Sequence, residues 1–150
     1  MSSDINEILK ILPHRYPILL LDRVTEFKPY ESIEGYKNIS INEGIFQGHF
    51  PNKPVYPGVM IIEGMAQTGV VLAFKSTYGH DLDSIDKIAY FAGIDRAKFR
   101  YIVSPGDKLI YRMEVIKHRG KIWILDGKAF VEDRLVAEAE LKAVLSDKES

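Results

Sequence analysis

The sequence predicts an α+β fold in which one antiparallel sheet curls around a single long apolar helix. Three observations lead there. The run Val59–Phe74 is apolar at almost every position and follows Pro57-Gly58, which reads as a helix start. A helix that is apolar all round belongs in an interior. Alternating, turn-bounded segments lie on both sides of it, and short links between the later ones make antiparallel neighbours. A sheet beside such a helix must wrap it, and the edges left over are usually managed by a dimer.

Taken in order, Asp4 caps a short helix whose Ile5, Ile8, Leu9 and Leu12 share a face. The proline-bounded turn PHRYP follows, and its His14 and Arg15 read as structural, with a functional role as the alternative. Ile18–Phe27 and Ser32–Ile41 alternate and form a hairpin, and Asn42-Glu43-Gly44 is turn chemistry. The loop QGHFPNKPVYPG leaves little room for regular structure. The helix then runs from about Gly58 to Lys75 or Ser76, roughly 27 Å, with Gly79 as its stop. After an exposed GHDLDSID loop come a strand over Lys87–Ile94, continued past a bend by AKFRYIV, then strands over Leu109–Ile116, Ile122–Val131 and Leu135–Leu145. The closing SDKES is expected to fray.

The chain of 150 residues fits one domain, 1–150, with an ordinary globular composition. A net charge of −1 gives no nucleic-acid signature. The absence of cysteine excludes disulfides, thiolate metal sites and a cysteine nucleophile, and it fits a reducing cytoplasm. MSSDINEILKIL lacks a signal-peptide pattern, and Val59–Phe74 is too short to span a bilayer. His14, His49, His80 and His118 show no metal-ligand spacing, and no GxSxG, P-loop or GxGxxG occurs. Arg96, Lys98, Arg100, Lys117, Arg119 and Lys121 form either a patch for an acidic partner or a solvated strand edge.

Two groups interrupt the apolar logic. His49 lies in the constrained loop before the helix, either as a general base or as a loop histidine capping a carbonyl. Glu63 lies about one turn inside the helix, where an ionisable carboxyl must be paired, neutral or at a cavity. Gln67 projects with it and Val59 lies a turn earlier, both candidate substrate-binding residues. The amides of Gly58 and Val59 at the helix start are free to polarise a carbonyl oxygen. Base, acid and oxyanion donors in one stretch suggest proton abstraction beside a carbonyl with loss or gain of water. A structural ion pair of Glu63 is the alternative.

The segments PHRYPILLLDRV, FQGHFPNKPVYPGVMIIEGMAQ and KFRYIVSPGD together resemble the (3R)-3-hydroxyacyl-[acyl carrier protein] dehydratases of bacterial type II fatty acid synthesis. The resemblance covers nearly the whole chain and implies the hotdog fold. It implies His49 as the base at C2, Glu63 as the acid for the C3 hydroxyl, directly or through a water, and the Gly58 amide on the thioester carbonyl. It implies no cofactor and a substrate carried by acyl carrier protein. It also implies a dimer whose two subunits share each site, with three dimers forming a hexamer. Glu63, where the related dehydratase/isomerase carries Asp, points to the dehydratase branch. Tyr56 stands where methionine is common and is a candidate for the wall of the acyl tunnel. A thioesterase, a coenzyme A-linked hydratase and a non-catalytic acyl- or carrier-binding module are the competing classes.

Overall fold

The computed structural model describes residues 2–148. Its first element, α1 (Ile5–Ile11), begins as expected, with the Asp4 carboxylate accepting from the Glu7 amide at 3.0 Å. Ile8 and Ile11 are its buried face. The first two strands are β1 (Arg23–Lys28) and β2 (Ser32–Asn38), an antiparallel pair that is shorter at its open end than the alternation suggests. Residues 18–21 are not strand because side chains satisfy their backbone. Leu20 N–H donates to Gln67 Oε1 at 2.8 Å, and Tyr111 Oη donates to Leu20 O at 3.0 Å. After Asn38 the chain turns away, with Ser40 N–H taken by Glu43 Oε2 at 2.8 Å.

The central helix α2 (Gly58–Tyr78) has 21 residues and stops at Gly79, whose φ of 60° suits glycine and whose N–H donates to Lys75 O. It outlasts its expected end by a few residues. By length and composition it would cross a bilayer, a correction to the shorter run read from sequence. However, 78% of its most apolar window is buried inside the fold. From Ile61 to Lys75 every residue is buried except Glu63.

Four strands follow: β3 (Lys87–Phe99), β4 (Lys108–Arg119), β5 (Ile122–Val131) and β6 (Arg134–Asp147). The expected bend in β3 is an irregularity within one strand, where Arg96 takes φ 52° between Asp95 and Lys98. Ser146 and Asp147 belong to β6 rather than to a frayed end, and residues 149–150 lie outside the described range. The sheet order is β1-β2-β4-β5-β6-β3, antiparallel throughout.

One expectation about neighbours fails. Strands β3 and β4 follow each other in sequence yet do not pair; β3 lies beside β6 and β4 beside β2. The tight-turn argument holds only for β4-β5-β6. The link after β3 is held elsewhere, with Tyr56 N–H on Val103 O at 2.8 Å and Gly106 N–H on Ile39 O at 2.8 Å. It therefore carries the chain across the sheet, and β3 is left as an outer edge.

The concave face of the sheet closes on α2 wherever the helix is slim. A Cβ added at Gly64 would overlap the phenol of the fully buried Tyr111, and one at Gly69 would lie 2.6 Å from Leu125. The far end of α2 buries a charge. Lys75 Nζ lies 2.9 Å from Glu7 Oε1 and 2.6 Å from Ser3 Oγ, which ties α1 to the helix. Burial opposes the charge on Glu7. The Lys75 ammonium and the Ser3 hydroxyl outweigh it and hold the carboxyl below its ordinary value.

Two outcomes follow from this packing. Gly64→Ala gains about 1 kcal/mol of helix propensity but loses about 1–3 kcal/mol to overpacking against Tyr111. Its urea midpoint should fall; an unchanged or raised midpoint would contradict the packing. A depressed folded-state pKa at Glu7 contributes stability above the unfolded value of 4.5, lost as pH falls through the folded one. The midpoint gap between wild type and Glu7→Gln should therefore be full at neutral pH and shrink as the pH is lowered below 4.5. A gap independent of pH would show that the pair adds nothing through its charge.

Candidate active site

The loop ahead of α2 is built to hold one imidazole. A 3-10 turn over Gly44–Gln47 leads into it, and His49 N–H donates to Ile45 O at 3.0 Å. Val55 N–H donates back to His49 O, while Phe50 and Lys53 exchange backbone hydrogen bonds. The His49–Phe50 peptide is cis, and the two rings stack with centroids 4.1 Å apart. His49 Nδ1 lies 2.7 Å from Val55 O. A carbonyl only accepts, so Nδ1 carries the hydrogen and Nε2 presents a free lone pair. The structure shows the carbonyl-capping reading of His49, and that contact also fixes the tautomer that a base at this position would need.

At the helix start, Pro57 O accepts from Met60 N–H at 3.0 Å. The amides of Gly58 and Val59 have no acceptor among the described residues. A Cβ at Gly58 would lie 2.7 Å from the Phe99 ring, so β3 and the helix start meet there. The Val59 side chain is 75% exposed, whereas Tyr56 is only 2% exposed and packs on Phe46. Burial, reinforced by the Glu43 and Asp22 carboxylates, pushes the Tyr56 phenol well above its ordinary range, and its hydroxyl has no partner among the described residues.

Glu63 is less enclosed than its helix suggested. Its side chain is 36% exposed, because the strap of residues 12–21 passes alongside it without covering it. Gln67, one turn on, is fully buried and committed to the protein. It accepts from Leu20 N–H, and its Nε2 donates to Ile18 O at 2.7 Å and Glu63 Oε1 at 3.0 Å. It ties strap, helix and carboxylate together.

The structure adds a residue that sequence reasoning set aside. His14 Nε2 lies 3.5 Å from Glu63 Oε1. The sequence signal was a histidine between prolines, but its partner is far away in the chain and only the path of the strap brings the two together. Arg15 does behave structurally, donating to the carbonyls of Leu9, Leu12 and His14. Arg96 and Arg100 of the suspected basic patch pair with Glu140 and Glu138 of β6. Among the described residues, no hydrogen bond or ion pair joins His49 to Glu63 within the protomer.

Gln67→Met would leave the buried Leu20 amide without an acceptor, a loss of about 1–3 kcal/mol. The expected result is a lower unfolding midpoint together with faster hydrogen exchange at Leu20. Protection retained at that amide would mean the strap is held by other contacts.

Comparison with known proteins places this geometry. The FabA-like domain matches residues 12–140, which include the strap, the loop, α2 and β3–β5. The 3-hydroxyacyl-[acyl-carrier-protein] dehydratase FabZ of Wolinella succinogenes is 63% identical over 150 residues, 99% of each chain. Among solved structures, the dehydratase heterocomplex ApeI:P from Xenorhabdus doucetiae aligns with a TM-score of 0.79 at 18% identity, covering 94% of this chain and 91% of that one. A hot-dog-like protein from Thermanaerovibrio acidaminovorans aligns at 0.63 and 14% identity, covering 81% and 85%. The fold is therefore the hotdog, and the chain belongs to the FabA-like family, among the 3-hydroxyacyl-[acyl-carrier-protein] dehydratases.

Proposed function

We propose that the protein is a hydro-lyase that converts a (3R)-3-hydroxyacyl chain on acyl carrier protein to the trans-2-enoyl chain and water, in fatty acid elongation in the cytoplasm. The observation that carries the mechanism is the Val55 carbonyl holding His49 Nδ1 at 2.7 Å. His49 Nε2 takes the proton from C2, and the C–H electron pair becomes the C2–C3 double bond. The C3–O bond breaks, and the hydroxyl leaves with the Glu63 proton as water. Negative charge developing on the thioester oxygen meets the unoccupied amides of Gly58 and Val59 at the positive end of α2. The steps move only protons and one C–O bond, so the reaction asks for no cofactor.

Assembly of the site from two chains is supported by the lack of any bond between His49 and Glu63 in one protomer. It is supported also by β3, an outer edge that exposes Tyr90, Ile94 and Phe99, the last of them against Gly58 at the start of α2. An unpaired apolar edge is a template for a second copy. A separate apolar rim formed by Tyr16, Ile18 and Ile45 surrounds a cavity of about 710 Å³ and fits the further contact that turns dimers into a hexamer. The exposed Val59 and the buried Tyr56 then face, respectively, the substrate at the helix start and the wall behind it.

His49→Ala and Glu63→Gln should each lower kcat/KM roughly 10²- to 10⁴-fold. The assay follows enoyl-thioester absorbance with free thiol monitored in parallel. Thiol release in place of enoyl formation would instead make the protein a thioesterase. Mixing the two dead variants and allowing subunits to exchange should recover activity, since one site of each mixed dimer is then intact. No recovery would put both groups in one chain.

A further inference from the structure

We infer that His14 is a positioning residue for Glu63: with Gln67 it pins Oε1 of the carboxyl group and so leaves Oε2 as the oxygen that carries the reacting proton. The inference rests on the proposed role of Glu63 as the acid and adds a residue to it.

The two carboxyl oxygens have different surroundings. Oε1 accepts from Gln67 Nε2 at 3.0 Å and has His14 Nε2 at 3.5 Å. Oε2 has no hydrogen-bond partner among the described residues. An amide N–H can only donate, and His14 can only donate from Nε2 if that nitrogen holds its hydrogen. Its other nitrogen argues that it does. His14 Nδ1 is buried without a partner among the described residues. A hydrogen there would be a buried donor with no acceptor, whereas a bare ring nitrogen strands no donor. With two donors facing Oε1, a proton on the carboxyl group is confined to Oε2.

The backbone that carries the imidazole is held on both sides. The Arg15 guanidinium donates to His14 O at 2.6 Å, to Leu9 O in the last turn of α1 at 3.0 Å and to Leu12 O just past its end at 2.8 Å. Beyond it the strap is fastened by Gln67 at Ile18 O and Leu20 N–H. At 3.5 Å the His14 contact is poised rather than closed. When Glu63 releases its proton to the leaving hydroxyl, charge grows on the carboxylate, and a donor 3.5 Å away closes on it at that moment.

The test uses the full-length protein with a 3-hydroxyacyl chain on acyl carrier protein. His14→Ala and His14→Phe remove the donor, and the second keeps the ring volume. His14→Gln returns an N–H at a similar reach. Both donor-free variants should lose roughly 10- to 100-fold in kcat with KM changed little, and His14→Gln should recover most of it. A structural role predicts the opposite order, with Phe tolerated and Gln not. Wild-type kcat in His14→Phe, or a His14→Gln no better than His14→Phe, would overturn the inference. Should His14→Ala fail to fold, the Phe and Gln pair still decides. Glu63→Gln measured alongside reports on the underlying reading alone: wild-type kcat there removes Glu63 as the acid, whatever His14 does.

Discussion

The interaction on which the rest depends is the side chain of one buried amide. Gln67 is 1% exposed, yet it joins three pieces of chain, accepting from Leu20 and donating to Ile18 and Glu63. Without those bonds the strap between α1 and β1 would carry unsatisfied backbone groups against an apolar helix, which the interior does not tolerate. Because the strap is fastened there, His14 arrives beside Glu63 and Tyr111 finds its acceptor at Leu20 O. One amide therefore orders both the packing and the carboxyl group.

The helix around it is shaped for a sheet to close on. Gly64 and Gly69 leave space that Tyr111 and Leu125 enter from β4 and β5. The cost of this close wrap is that the helix can show a side chain only where the sheet does not reach. That opening is Glu63, the single position between Ile61 and Lys75 that is not buried. The far end is closed differently, by Lys75 buried against Glu7 and Ser3. One carboxylate and one ammonium on the same helix thus have opposite fates. Lys75 has its countercharge supplied by α1, and Glu63 keeps an oxygen free.

The loop before the helix follows a second logic. Backbone bonds among Ile45, His49, Phe50, Lys53 and Val55 make it a closed unit, so the imidazole is held by the same carbonyl that sets its tautomer. Among the described residues, no hydrogen bond or ion pair then brings that imidazole to Glu63. The outer position of β3 does offer a route, since its apolar edge runs to Phe99 against Gly58. The chain by itself thus presents the two groups apart, as the proposed sharing of a site between two subunits requires.

Much was legible in the residues themselves. The apolar run after Pro57-Gly58 determined the helix, Asp4 the cap of α1, and the alternation of Ile122–Val131 a strand with those same bounds. His49 and Glu63 stood out because each is an ionisable group where local chemistry wants none. These are local properties, read from spacing and residue type. The tertiary structure alone decided the rest. The crossing of the sheet between β3 and β4 depends on bonds from Val103 and Gly106 to distant residues. The end of strand character before Arg23 depends on Gln67 and Tyr111. The meeting of His14 with Glu63 depends on the path of the strap. Each of these is a contact between residues far apart in the chain, and no periodicity within a segment records which distant group will satisfy a backbone amide.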